Sequence, residues 1–123
     1  MVKAKRIMMI DDNPDHLLLA KRILEQNGYM VETLQDCSQL LRRVRLYRPK
    51  LIFMDHHMPV MDGIAATRLL KSNARYNRIP VVYFSSEDNI SALAESAGAD
   101  DWLRKPFRLE DLIQKAGDHL SRV

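Results

Sequence analysis

Asp11 and Asp12, Asp55, Ser85 and Ser86, and Lys105 each follow directly on a short segment that reads as a strand: residues 7–10, 51–54, 81–84 and 101–104. Three carboxylates gathered at one place repel one another and raise each other's pKa values, a cost that a divalent cation and a nearby ammonium group offset. The ligands on offer are oxygens and there is no cysteine pair, so the hard ion Mg²⁺ suits the set and zinc does not. A carboxylate is also a nucleophile towards phosphorus when metal, ammonium and hydroxyl groups neutralise the transferring oxygens. In that chemistry Asp55 attacks, Asp11 and Asp12 hold the metal directly or through water, Lys105 pairs with one phosphoryl oxygen and Ser85 donates a hydrogen bond to another.

The elements that must position these groups follow from the same pattern. The runs 7–10, 51–54 and 81–84 are continuously apolar, as strands buried on both faces of a parallel sheet are, and a weaker run lies at 29–31. The stretch 101–104 is more polar and fits an edge strand. Between them lie helical spacings: Leu17, Ala20 and Leu24, then Leu40, Leu41 and Val44 with Pro49 close behind, then 64–71, 90–97 and 109–120, with Gly28 and Gly98 as helix-ending glycines. The order is (βα)₅. Right-handed crossovers then cover both faces of the sheet and leave the functional crevice at the carboxyl ends of the strands, where the six residues sit.

The chain resembles the receiver domain of bacterial response regulators along nearly its whole length, through the stretches IMMIDDNP (7–14), MDHHMPVMDG (54–63) and GADDWLRKPF (98–107), with Ser85 thirty residues after Asp55 and Lys105 twenty after that. The resemblance implies a flavodoxin-like, doubly wound parallel sheet of strand order 2-1-3-4-5. It implies that Asp55 is phosphorylated in Mg²⁺ from a phosphohistidine on a sensor histidine kinase or a histidine phosphotransfer protein. It also implies a third protein ligand for the metal, by position the backbone carbonyl of His57, and the Lys105–Pro106 bond is similar to one that is cis in the family. Phosphorylation is implied to draw the Ser85 hydroxyl inward while Trp102, three positions before the lysine, turns in behind it. Tyr or Phe is the more usual residue there. The face of the fourth helix, fifth strand and fifth helix is the implied output surface.

Plainer readings compete at several positions. Asp12 or Asn13 can cap the helix that starts near Pro14, and Ser86 rivals Ser85 for the hydroxyl role, though spacing favours Ser85. His56 and His57 are read as loop residues, because adjacent loop positions seldom point at one ion and the sequence shows no partner ligand. His57 and Glu87 nevertheless border the site, where they can affect the access of water to an acyl phosphate. Met8, Met9 and Met54 are core filling. A haloacid-dehalogenase-like phosphatase also uses an aspartyl phosphate, but after its first strand and with a second Asp where this chain has Asn13; it also needs a cap insertion that 123 residues do not easily hold. A degenerate receiver that serves only as an interaction module is opposed by the intact acidic pair, Asp55 and Lys105. No glycine-rich loop suggests a nucleotide site.

Bulk properties set the remaining expectations. The 123 residues, 46% hydrophobic, suit one domain over 1–123. A net charge of +3 is too small for a nucleic-acid signature, so no direct nucleic-acid contact is expected, and Arg42, Arg43, Arg45, Arg48 and Lys50 are read as facing water. The lone Cys37 suits the cytosol, and the apolar run behind the basic start of the chain is too short for a signal peptide or membrane span.

Overall fold

The computed structural model describes residues 5–120; the first four residues of the basic start and residues 121–123 lie outside the described residues. Strands β1 (Lys5–Ile10), β2 (Tyr29–Leu34), β3 (Leu51–Asp55), β4 (Val81–Ser85) and β5 (Asp101–Arg104) alternate with helices α1 (Pro14–Gln26), α2 (Leu40–Tyr47), α3 (Gly63–Lys71), α4 (Ile90–Ala97) and α5 (Leu109–Leu120). The sheet is parallel, in the order β2-β1-β3-β4-β5. This is the expected flavodoxin-like arrangement.

Alternation along the strands divides the core in two. Ile7 and Met9 of β1, Phe53 of β3 and Phe84 of β4 pack with Leu17, Ala20 and Leu24 of α1 and Leu112 and Ala116 of α5. Met8, Ile10, Ile52, Met54 and Tyr83 face the other way, against Leu40 and Val44 of α2, Ala66 and Leu70 of α3 and Ala94 of α4. Successive strand residues point to opposite faces, so a strand covered on both must be apolar at every position. The three methionines noted in the sequence are indeed buried in these layers.

Local chemistry sets the helix ends. Asn13 caps α1, its side chain accepting from the backbone N–H groups of Asp15 and His16 at 2.9 and 3.2 Å, with Pro14 in the first helical position. Asp62 caps α3 by accepting from Ala65 N at 2.8 Å. Gly98 closes α4 in the left-handed conformation, φ 82°. The edge strand β5 is tied to α5 through Asp101, which accepts from Lys115 Nζ at 2.9 Å and meets His119 Nε2 at 3.0 Å.

Candidate functional site

The parallel register brings the chemical residues together at the carboxyl end of the sheet. Ile10 pairs with Met54, so Asp11 and Asp55 are the next residues of neighbouring strands. Asp55 pairs with Phe84, and Ser85 with Arg104, which places Lys105 one step beyond. The ladder continues past the strand ends: Asp11 N donates to Leu34 O at 3.1 Å, His56 N to Phe84 O at 3.1 Å and Lys105 N to Ser85 O at 2.8 Å. The backbone of each group is thereby fixed by its neighbour.

Asp11 and Asp55 are buried, at 4% and 2% exposure, whereas Asp12 is exposed at the rim. One carboxylate oxygen of each of the three lies within 4.8 Å of the others. Lys105 Nζ donates to Asp55 Oδ1 at 2.7 Å and stands 3.7 Å from Asp11 Oδ2, over the Phe84 ring at 4.9 Å from its centroid. Burial, opposed by the Lys105 hydrogen bond but reinforced by Asp11 and Asp12, holds the Asp55 carboxyl above its ordinary value. Three carboxylates against one lysine leave negative charge uncancelled, and the donors are all hard oxygens. A divalent ion of the Mg²⁺ type fits that set.

The other expected residues are placed as follows. Ser85 is buried at the end of β4, and its hydroxyl accepts from Glu87 N at 3.0 Å, turned towards its own loop. Ser86 is exposed and lines a pocket of about 420 Å³ with Asp11, Phe84 and Lys105. His57 shares an open cleft with Asp12, His56 and Asp62. Trp102 is 38% exposed on β5, beside Tyr83 in the register. The Lys105–Pro106 bond is cis.

Two features escaped the reading of the sequence. A Cβ on Gly63 would stand 2.2 Å from the backbone oxygen of Asp55, so only glycine lets the start of α3 lie against the strand that carries the aspartate. The Asp62-Gly63 pair that closes the 54–63 stretch was the available signal. The second is a partner for the adjacent histidines: Glu87 Oε1 lies 3.5 Å from His57 Nε2, and His56 Nδ1 is hydrogen-bonded with the hydroxyl of buried Tyr83. His56 and His57 are therefore engaged across to β4 and its loop, not merely carried on their own.

The response regulator receiver domain family model matches residues 7–117. The chain belongs to that family. The transcriptional regulatory protein PrrA of Mycobacterium leprae is 35% identical over 125 residues, which cover 98% of this chain and 52% of PrrA. The chain thus spans about half the length of the curated relatives it matches. Among solved structures, the signal receiver domain of a signal transduction histidine kinase from Syntrophus aciditrophicus is 34% identical with a TM-score of 0.88, over 98% of this chain and 92% of that one. The receiver domain of the sensor histidine kinase PA1611 from Pseudomonas aeruginosa, solved with a magnesium ion coordinated in its active-site cleft, is 26% identical with a TM-score of 0.87, over 97% of this chain and 95% of that one. This receiver domain accordingly serves two-component signalling, and no helix among its described residues is long and apolar enough to cross a membrane.

Proposed function

We propose that this receiver, as one cytoplasmic domain over residues 1–123, takes a phosphoryl group onto Asp55 from a phosphohistidine of a sensor histidine kinase or histidine phosphotransfer protein. The observation that carries the reading is the buried Asp55 carboxylate, bound to Lys105 Nζ at 2.7 Å and flanked within 4.8 Å by Asp11 and Asp12. A carboxylate oxygen of Asp55 bonds to phosphorus as the bond from phosphorus to the donor imidazole nitrogen breaks, and the imidazole takes up a proton. Lys105 orients the carboxylate before transfer and neutralises a phosphoryl oxygen after it. Asp11, Asp12, Asp55 and the His57 carbonyl are the groups that would hold Mg²⁺, which supplies charge neutralisation on the transferring oxygens. Ser85 exchanges the Glu87 N–H for a phosphoryl oxygen.

The chemistry is that of a switch, the domain assisting only its own phosphorylation and the hydrolysis that resets it. Output is proposed through α4, β5 and α5 to a downstream effector, without direct contact between this domain and nucleic acid. The test is phosphoryl uptake from a small phosphodonor in Mg²⁺, followed by intact mass. Wild type should gain one phosphoryl group and Asp55→Asn none, while Lys105→Ala should still be phosphorylated but signal weakly. Uptake by Asp55→Asn at the wild-type rate would place the acceptor elsewhere.

A further inference from the structure

The two loops that meet at the mouth of this site carry a second set of ligating side chains. A ring nitrogen of His56, a ring nitrogen of His57 and a carboxylate oxygen of Glu87 lie within 4.8 Å of one another. A tetrahedral ion with bonds of about 2.0–2.1 Å sets its ligand atoms about 3.4 Å apart. The His57–Glu87 pair, at 3.5 Å, already has that spacing. The two imidazoles meet edge to face with centroids 4.7 Å apart, so these neighbours in sequence lie on the same side of the loop. His56 is also held from behind: the Tyr83 hydroxyl engages Nδ1, and Nε2 has no partner among the described residues. A histidine anchored through one nitrogen with the other left over is the usual arrangement around a bound metal.

The donor types separate this set from the acidic one. Three carboxylates select a hard cation, whereas two imidazoles and one carboxylate are the ligands of zinc and similar borderline ions, with a position left for water. A simple ion pair between His57 and Glu87, both substantially exposed, would account for one contact of small worth and would not require His56.

We propose that His56, His57 and Glu87 form a second cation site, for Zn²⁺ or a similar borderline divalent ion, that ties the loop after β3 to the loop after β4. The tie has a consequence for the switch, which rests on the phosphoacceptor reading. Glu87 N is the group that holds the Ser85 hydroxyl in its own loop, at 3.0 Å. An ion that fixes Glu87 keeps Ser85 turned away from Asp55 and slows phosphoryl uptake.

The binding claim is tested on the full chain by titrating Zn²⁺ against a chromogenic chelator, in excess Mg²⁺, with folding of each variant checked by circular dichroism. Wild type and the double variant Asp12→Asn, Asp55→Asn should each bind one equivalent, and His57→Ala and Glu87→Gln should bind at least tenfold more weakly. Absence of binding to wild type, binding unchanged in both exposed-site variants, or loss of binding in the acidic double variant alone would each overturn the site. Phosphoryl uptake from a small phosphodonor is then compared with and without Zn²⁺. Slowing in wild type that disappears in Glu87→Gln supports the tie, and equal rates in Zn²⁺-loaded wild type overturn it. Failure of uptake in Mg²⁺ alone would count against the phosphoacceptor reading and leave the zinc titration standing.

Discussion

Asp55 is a carboxylate held where a carboxylate is expensive. Its proton is bound more tightly in the folded chain than in the unfolded one, chiefly because burial disfavours the charge. The sign of the linkage follows: the ionised group costs stability, the cost starts as pH rises past the ordinary value of 3.8, and it is complete once pH exceeds the raised folded value. Asp55→Asn removes the charge and keeps the shape. In chelator at pH 7 the variant should melt above wild type, and the gap should close as pH falls towards 3.8; differential scanning calorimetry across that range reads it. Added Mg²⁺ should raise the wild-type midpoint more than the variant's, because a ligand stabilises only the form that binds it. Val60 is a separate residue-scale cost. This β-branched residue sits at φ 72° and is 87% exposed in the loop after Asp55, a conformation that opposes its own Cβ without any packing in return. Val60→Gly should therefore stabilise the domain by roughly 1 kcal/mol, against the usual effect of introducing glycine. Urea denaturation with an unchanged slope would measure it.

At the scale of elements, most of the architecture was legible because four of the five strands are apolar or edge runs that end directly at a chemical position. The runs at 51–54 and 81–84 needed only one more residue, Asp55 or Ser85, to reach the observed strands. The run at 29–31 fell short of β2, which continues to Leu34. Glu32 and Thr33 read as polar, yet their backbones pair with Met8 and Met9, and Glu32 is covered by Arg43 at 2.9 Å. That ion pair also removes Arg43 from the basic residues expected simply to face water. Pairing decided the strand, and pairing is invisible in a single segment's hydropathy. The same limit applies to the histidines, since the residue that engages His57 lies on another loop and only the β3–β4 register brings it near. Gly63 shows how closely the elements are fitted. Gly63→Ala would drive a methyl group into the Asp55 carbonyl, so either α3 or the end of β3 must shift. A loss of about 1–3 kcal/mol is expected from such overpacking. Phosphoryl uptake should fall as well, because the displaced backbone carries Asp55, the proposed acceptor. Chemical denaturation and an uptake assay on the same preparation would show both effects, and a loss of stability with uptake untouched would mean that α3 alone had moved.

For the molecule as a whole, the question is how a charge added at Asp55, as proposed, would reach the β5 edge of the sheet. On the proposed reading this arrangement is the unphosphorylated state, with Ser85 bonded within its own loop and Trp102 38% exposed. Register is consistent with the proposed route, since Ser85 and Trp102 lie on adjacent strands and Trp102 pairs with Tyr83, two residues before Ser85. Reversing a two-state population from one part in a hundred takes about 5.5 kcal/mol of differential binding. Hydrogen bonds to a charged group contribute about 1.5–3 kcal/mol each. The two such contacts that the proposal assigns to Lys105 and Ser85 would therefore come close, and inward packing of the indole would supply the remainder. Trp102 is the only tryptophan, so its emission tests this step directly. Beryllofluoride, an acyl-phosphate mimic, should shift that emission to shorter wavelength in a saturable, Mg²⁺-dependent way, with no shift in Asp55→Asn and a smaller one in Ser85→Ala. An unchanged spectrum in protein whose full phosphorylation is verified by intact mass would take Trp102 out of the switch and leave the loop carrying Ser85 to transmit the signal through α4.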